Sequence, residues 1–211
     1  MWGLNPYRKA SKMKRFQLIA AGMVAFVACG GGDAADSGTS NAGATSQPAA
    51  AAPAGPTAPT GAMTMPDWYS IDNDARTVNL TMTAGATPEN NYWSYNGAIR
   101  GAIAITVPEG YTVTIEFVNQ DPNMAHSVGI SSELSNFMVP PEPTPVFEGA
   151  ITENPQSMID GTMPGETVSL TFVADAAGNY SMVCYIAGHT AIGMWLYFNV
   201  SADGEAGVQG L

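Results

Sequence analysis

The sequence predicts an all-β domain, a sandwich or barrel, over its C-terminal part. Three observations carry that prediction: period-two alternation of apolar and polar residues, turn signals between the alternating runs, and no long helical period. In the first run Val78, Leu80 and Met82 alternate with Thr77, Asn79, Thr81 and Thr83. Ile103, Ile105 and Val107 alternate with Ala102, Ala104 and Thr106, and Pro108-Glu109-Gly110 ends that run with a turn. Tyr111, Val113, Ile115 and Phe117 follow with the same period. Residues 131–165 do not alternate and contain a proline cluster from Pro140 to Pro145, so they read as a long excursion over the surface. Val168, Leu170 and Phe172 resume the pattern after Pro164-Gly165. Tyr180, Met182 and Cys184 continue it after Ala177-Gly178-Asn179. Met194, Leu196, Phe198 and Val200 close it, alternating with Trp195, Tyr197 and Asn199. Two sheets packed face to face would bury the inward sets against each other.

The chain has 211 residues, of which 12% are charged, about half the usual share. Five of its seven basic residues (Arg8, Lys9, Lys12, Lys14 and Arg15) precede residue 16, and all 18 acidic residues follow it. After residue 28 only Arg76 and Arg100 are basic, so nucleic-acid binding by phosphate neutralisation, which needs clustered Lys and Arg, is excluded there. A charged protein partner would have to be basic. With two His in the whole chain, enzymes built on multiple His ligands are excluded as well.

Residues 1–28 read as an export signal. A basic stretch precedes the apolar run 16–28, which at about 13 residues is too short to span a bilayer. Cys29 follows directly in Phe26-Val27-Ala28-Cys29-Gly30, a pattern that resembles a bacterial lipobox with Phe26 in the usual Leu place. Lipidation of Cys29 would anchor the chain through its new N-terminus. The expected location is the outer face of the cytoplasmic membrane or the periplasmic face of the outer membrane. Residues 29–66 are dominated by Ala, Gly, Pro, Ser and Thr and cannot bury enough apolar surface to offset their ordering entropy. They read as a disordered tether with a reach of roughly 35 Å. The folded domain is then expected over 67–202, with a flexible tail over 203–211.

With Cys29 lipidated, Cys184 is the one remaining thiol, and a free thiol in an exported protein needs a reason. Burial as a small hydrophobe is one; metal ligation is another. Cys184, His189 and Met194 follow one another as Cys-x4-His-x4-Met, across a loop between two strands. His126, the other His, stands at the start of a further short strand. A thiolate, two imidazoles and a thioether make up the ligand set of a blue-copper electron-transfer site. Zinc fits less well, because Met is a poor zinc ligand. A thiol nucleophile paired with His189 would leave His126 and Met194 without a role.

The stretches Asn123-Met-Ala-His126-Ser127 and Cys184-Tyr-Ile-Ala-Gly-His189-Thr-Ala-Ile-Gly-Met194-Trp195 resemble the cupredoxin family, closest to its sulfocyanin and rusticyanin branch, over roughly 75–201. The resemblance implies a Greek-key β-sandwich. It also implies one copper ion held equatorially by His126, Cys184 and His189 and axially by Met194. Ser127 would take the place that Asn holds in many members, beside the ligands. The implied activity is one-electron transfer, not enzymatic turnover. The family would expose the His189 imidazole edge through an apolar patch, here Ala187, Ala191 and Ile192. Expected partners are redox proteins: a cytochrome, a membrane oxidase or another respiratory complex, met by a monomer. Two other classes remain open on the residues alone. One is a module that binds and delivers copper; the other is a structural β-sandwich lipoprotein without metal.

Overall fold

The computed structural model describes residues 56–211. The expected signal segment 1–28, the expected lipidation site Cys29 and the expected tether up to residue 55 lie outside the described residues. Nine strands form two sheets, the β-sandwich expected from the alternation. The first sheet has the order β1 (Tyr69–Asp72), β2 (Thr77–Ala84), β4 (Thr112–Asn119), β6 (Thr167–Val173). The second has the order β5 (Gly129–Ser132), β7 (Gly178–Val183), β8 (Trp195–Ser201), β3 (Ala104–Pro108), β9 (Gly207–Gln209). β2 runs parallel to β4, and β3 runs parallel to β8; the remaining pairs are antiparallel. The chain crosses repeatedly from one sheet to the other, as a Greek key requires.

The alternation places the core where it was expected. Val78, Leu80, Met82, Val113, Ile115, Phe117, Leu170 and Phe172 of one sheet meet Ile105, Val107, Met182, Leu196, Phe198 and Val200 of the other, all buried. Cys184 and Met194 belong to this cluster. Their shared burial follows from position: each sits one residue beyond the sheet, at the facing ends of β7 and β8.

The outward face of the second sheet is not the solvated face that the alternation alone suggests. Trp195 and Tyr197 are buried in a second cluster with Ala104, Phe137, Val183 and Tyr185. The 131–165 excursion provides the cover. Phe137 stacks on Trp195 with ring centroids 3.6 Å apart, and Phe147 stacks on Phe172 at 5.6 Å. The excursion is thus held down by aromatic side chains, with backbone bridges from Ile151 to Gly129 and from Thr162 to His126.

Both expected domain boundaries move outward. Residues 203–211 do not form a flexible tail: Gly207–Gln209 is β9, paired antiparallel with β3, and Val208 is fully buried. The polar Gly-Glu-Ala-Gly stretch around it hides the signal, because the strand is too short to alternate. Nor does the folded unit begin at residue 67. Thr64 exchanges backbone hydrogen bonds with Val208 at 2.9 Å, and the Tyr197 hydroxyl donates to the Pro56 carbonyl. The folded unit therefore includes residues as early as Pro56. A chain ending at residue 202 is expected to lose at least about 2 kcal/mol of stability, the scale of burying one Val. Chemical denaturation of the two chains measures it.

Candidate metal centre

Two loops at one end of the sandwich bring the predicted ligands together. The register of β5 against β7 pairs Gly129 with Val183, so the chain preceding β5 passes beside the chain leaving β7. That places His126 next to Cys184. After Cys184 the chain turns through Gly188, whose φ of 85° is in the left-handed region, into a single helical turn, His189–Ile192. Gly193, with φ 124°, reverses it into β8; a Cβ there would stand 2.6 Å from Arg100 Cγ. The turn is closed by hydrogen bonds. The Met194 N–H donates to the His189 carbonyl at 2.9 Å, and the Cys184 N–H to the Met194 carbonyl at 3.3 Å. The Thr190 hydroxyl donates to the Cys184 carbonyl. Three ligand positions are thereby tied to one another through the backbone.

The donor atoms converge. One ring nitrogen of His126, one of His189 and the Cys184 Sγ all lie within 4.8 Å of one another, and all three residues are buried. The two Nδ1 atoms are 3.2 Å apart, and His189 Nδ1 is 3.4 Å from Cys184 Sγ. Met194 is fully buried beside them.

The partners of these residues decide the chemistry. His126 Nε2 lies 2.8 Å from Asp121 Oδ2, and both groups are buried. A carboxylate accepts but does not donate, so Nε2 carries the proton and the Nδ1 lone pair points into the centre. Asp121 is itself fixed: its Oδ1 accepts the N–H of Asn123 at 2.8 Å and of Met124 at 3.2 Å. Asn119 Nδ2 donates to the Met124 and Thr162 carbonyls, both at 2.8 Å, and so fastens the His126 loop to the excursion. Ser127, expected beside the ligands, is there: its Oγ accepts the Tyr185 N–H at 2.9 Å and lies 3.6 Å from Cys184 Sγ. The Tyr95 hydroxyl donates to the Ser127 carbonyl at 2.6 Å.

Burial pushes the Cys184 thiol up, opposed by hydrogen bonding from Ser127 and Ile186. Burial also lowers the His126 ring, with Asp121 pulling the other way. His189 is pushed down to about 3 by burial and by its neighbour His126. Without metal, His126 Nδ1 can accept a hydrogen bond from His189 Nδ1–H at 3.2 Å, beside the Cys184 thiol, and His189 Nε2 has no partner. A soft cation held by one nitrogen of each ring and by the sulfur would take the place of the proton between the rings and of the thiol proton. Two imidazoles, a thiolate and a nearby thioether in an apolar pocket fit copper.

One expectation needs revision. The His189 imidazole edge is not at the surface: the residue is 1% exposed, and the Trp93 indole stacks on it with centroids 3.9 Å apart. Of the expected patch, Ala187 and Ile192 are exposed and Ala191 is half-buried. Asp121, Asn119 and Trp93 were missed. Asp121 is one of 18 acidic residues in the sequence, and its Asp-Pro-Asn setting reads as a plain turn.

Asp121→Asn would turn an amide N–H or a weaker acceptor toward His126. It is expected to weaken copper binding about 10- to 100-fold, measured by competition with a chelator. A second expectation concerns pH. Both rings are held below the ordinary His value of 6.5 in the folded chain, so the unfolded chain binds more protons below it. Stability of the metal-free protein is then full above about pH 6.5 and lost as pH falls toward the folded values. Calorimetry from about pH 7 down to about pH 4 should show a falling Tm, less steep once copper occupies both rings.

The sulfocyanin (SoxE) domain family matches residues 63–206. The sulfocyanin of Sulfolobus acidocaldarius is 30% identical over 135 residues, which cover 60% of this chain and 64% of the relative, so the match spans less than two thirds of that protein. Among solved structures, rusticyanin from Thiobacillus ferrooxidans is 23% identical, with a TM-score of 0.44 over 64% of this chain and 87% of its own. Auracyanin from Roseiflexus castenholzii is 22% identical, with a TM-score of 0.41 over 58% of this chain and 96% of its own. With the family match spanning both ligand loops and a buried His, Cys, His and Met set at their meeting point, the chain belongs to the sulfocyanin family of cupredoxins, the blue copper electron-transfer proteins.

Proposed function

We propose that this protein is a membrane-tethered carrier of single electrons between respiratory redox partners. One observation carries the reading: the donor atoms of His126, Cys184 and His189 are already converged and buried, with Met194 buried and tied to them through backbone hydrogen bonds. Copper, when bound, supplies a reversible one-electron couple in which no substrate bond is made or broken. The chain's own residues do the remainder. Asp121 orients His126, Ser127 sits against the Cys184 sulfur, and the helical turn His189–Ile192 holds His189 in place. A pocket so constrained changes little between oxidation states, which favours fast transfer over metal exchange. Burial of all four ligands argues against a module that hands its metal on, because delivery needs an accessible ligand.

Tethering rests on the sequence: the apolar run 16–28, Cys29 after it, and a polar stretch long enough to let the domain swing near a membrane. The partner class rests on charge. Past residue 28 the chain has two basic residues, Arg76 and Arg100, against 18 acidic ones, which favours a basic partner and a salt-sensitive encounter. Ala187, Ala191 and Ile192 offer an uncharged landing area next to the centre; Ile192 is 46% exposed.

The copper-loaded domain is expected to exchange electrons rapidly with a basic c-type cytochrome in stopped-flow mixing, and more slowly as salt is raised. Ile192→Glu should slow that exchange without changing the visible spectrum. An absent thiolate-to-copper band, or transfer no faster than with free copper, would defeat the carrier reading. Unchanged rates in Ile192→Glu would remove the landing area alone.

A further inference from the structure

We propose that Trp93 is the electron-transfer contact of this protein, its indole standing between the redox partner and His189. The inference deepens the carrier reading above and rests on it. His189 opens the short helical turn His189–Ile192, yet it is 1% exposed and its Nε2 has no hydrogen-bond partner. What lies over it is the Trp93 ring, nearly parallel at 19° with centroids 3.9 Å apart. Trp93 itself is only partly buried. A partner approaching this side of the centre therefore meets the indole before the imidazole, and the two rings are in van der Waals contact.

The segment that presents Trp93 is built under strain. Asn90, Asn91 and Tyr92 have φ of 51°, 58° and 66°, three consecutive left-handed residues without a glycine. Asn tolerates that region; a bulky Tyr does not. Such strain persists only where surrounding contacts over-determine it, and it concentrates at functional sites. The contacts are present here. The Trp93 N–H donates to the Asn90 carbonyl at 3.1 Å, and Asn90 Nδ2 donates back to the Trp93 carbonyl at 2.8 Å. Arg100 joins this turn to the ligand loop. Its Nη2 donates to Asn90 Oδ1 at 3.4 Å, and its backbone N–H donates to the Gly193 carbonyl at 2.8 Å. The turn that carries Trp93 and the turn that carries His189 are thus fixed to each other. A side chain that only filled space would not need a strained turn and a cross-loop clamp to aim it.

The step balances simply. A reduced one-electron protein loses one electron and the oxidised centre gains it; no bond or proton changes hands, and the indole stays closed-shell as the medium between them.

Two measurements test the assignment. In the metal-free protein, diethyl pyrocarbonate should modify His189 slowly, and readily in Trp93→Ala, as read by peptide mass. Equal protection in both would overturn the covering role. In the copper-loaded protein, electron self-exchange is measured by NMR line broadening, a reaction with no driving force, so a shift in potential does not confound it. Trp93→Phe should keep the wild-type rate, and Trp93→Ala should lose about tenfold or more, the scale on which a misplaced contact is felt. A Trp93→Ala rate equal to or above wild type overturns the proposal. If Trp93→Ala does not fold, Trp93→Leu replaces it: bulk without a π-face should also slow exchange, and a wild-type rate overturns the assignment. A wild type that itself shows no self-exchange defeats the carrier reading, and this inference with it.

Discussion

Everything in this fold answers to one constraint: two imidazole lone pairs and a thiol sulfur must be held within 4.8 Å of one another away from water. Such a cluster is costly by itself: all three side chains are desolvated, and His189 Nε2 is buried without a hydrogen-bond partner. The sandwich holds it by register. β5 on β7 and β7 on β8 fix the two ligand loops as extensions of rigid strands. The backbone ties among Cys184, His189 and Met194 then leave the second loop one conformation, and the Asn119 amide does the same for the first. The polar groups around the centre have little freedom to rearrange, which suits a redox ion whose two states prefer different geometries.

The charge distribution follows the same logic. Among the described residues the centre has one charged neighbour in direct contact, the Asp121 carboxylate, and it faces the far nitrogen of His126, away from the sulfur. The negative charge therefore acts through an imidazole. It strengthens that ligand without competing for the metal site.

Much of this was legible in the sequence, and what escaped did so for physical reasons. Alternation at period two revealed the inward faces of β2, β3, β4, β6, β7 and β8, because one-sided burial imposes it. The ligand set stood out because it uses both His and the free Cys of the chain, with Cys184, His189 and Met194 in one spacing pattern. Alternation failed where a strand is covered on both sides: Trp195 and Tyr197 look outward by phase but lie under Phe137 and the excursion. It failed again at β9, where three residues cannot show a period. Asp121 and Trp93 were invisible for another reason. Their partners are 5 and 96 positions away in loops, where contact depends on tertiary path and no local periodicity reports it.

The edge strand β9 has a consequence for the order of folding. Thr64 and Val208, 144 positions apart, must meet before the second sheet has its final edge, and the two parallel pairs also join distant segments. Contacts of such long sequence separation close slowly, because loop entropy is lost before packing is gained. A chain emerging from a ribosome or a translocation pore cannot complete this domain until β9 is free. Cys184, His189 and Met194 all lie between β7 and β8, late in the domain, so the pocket exists only after that moment. Metal capture is accordingly a late event, confined to whichever compartment receives the finished chain.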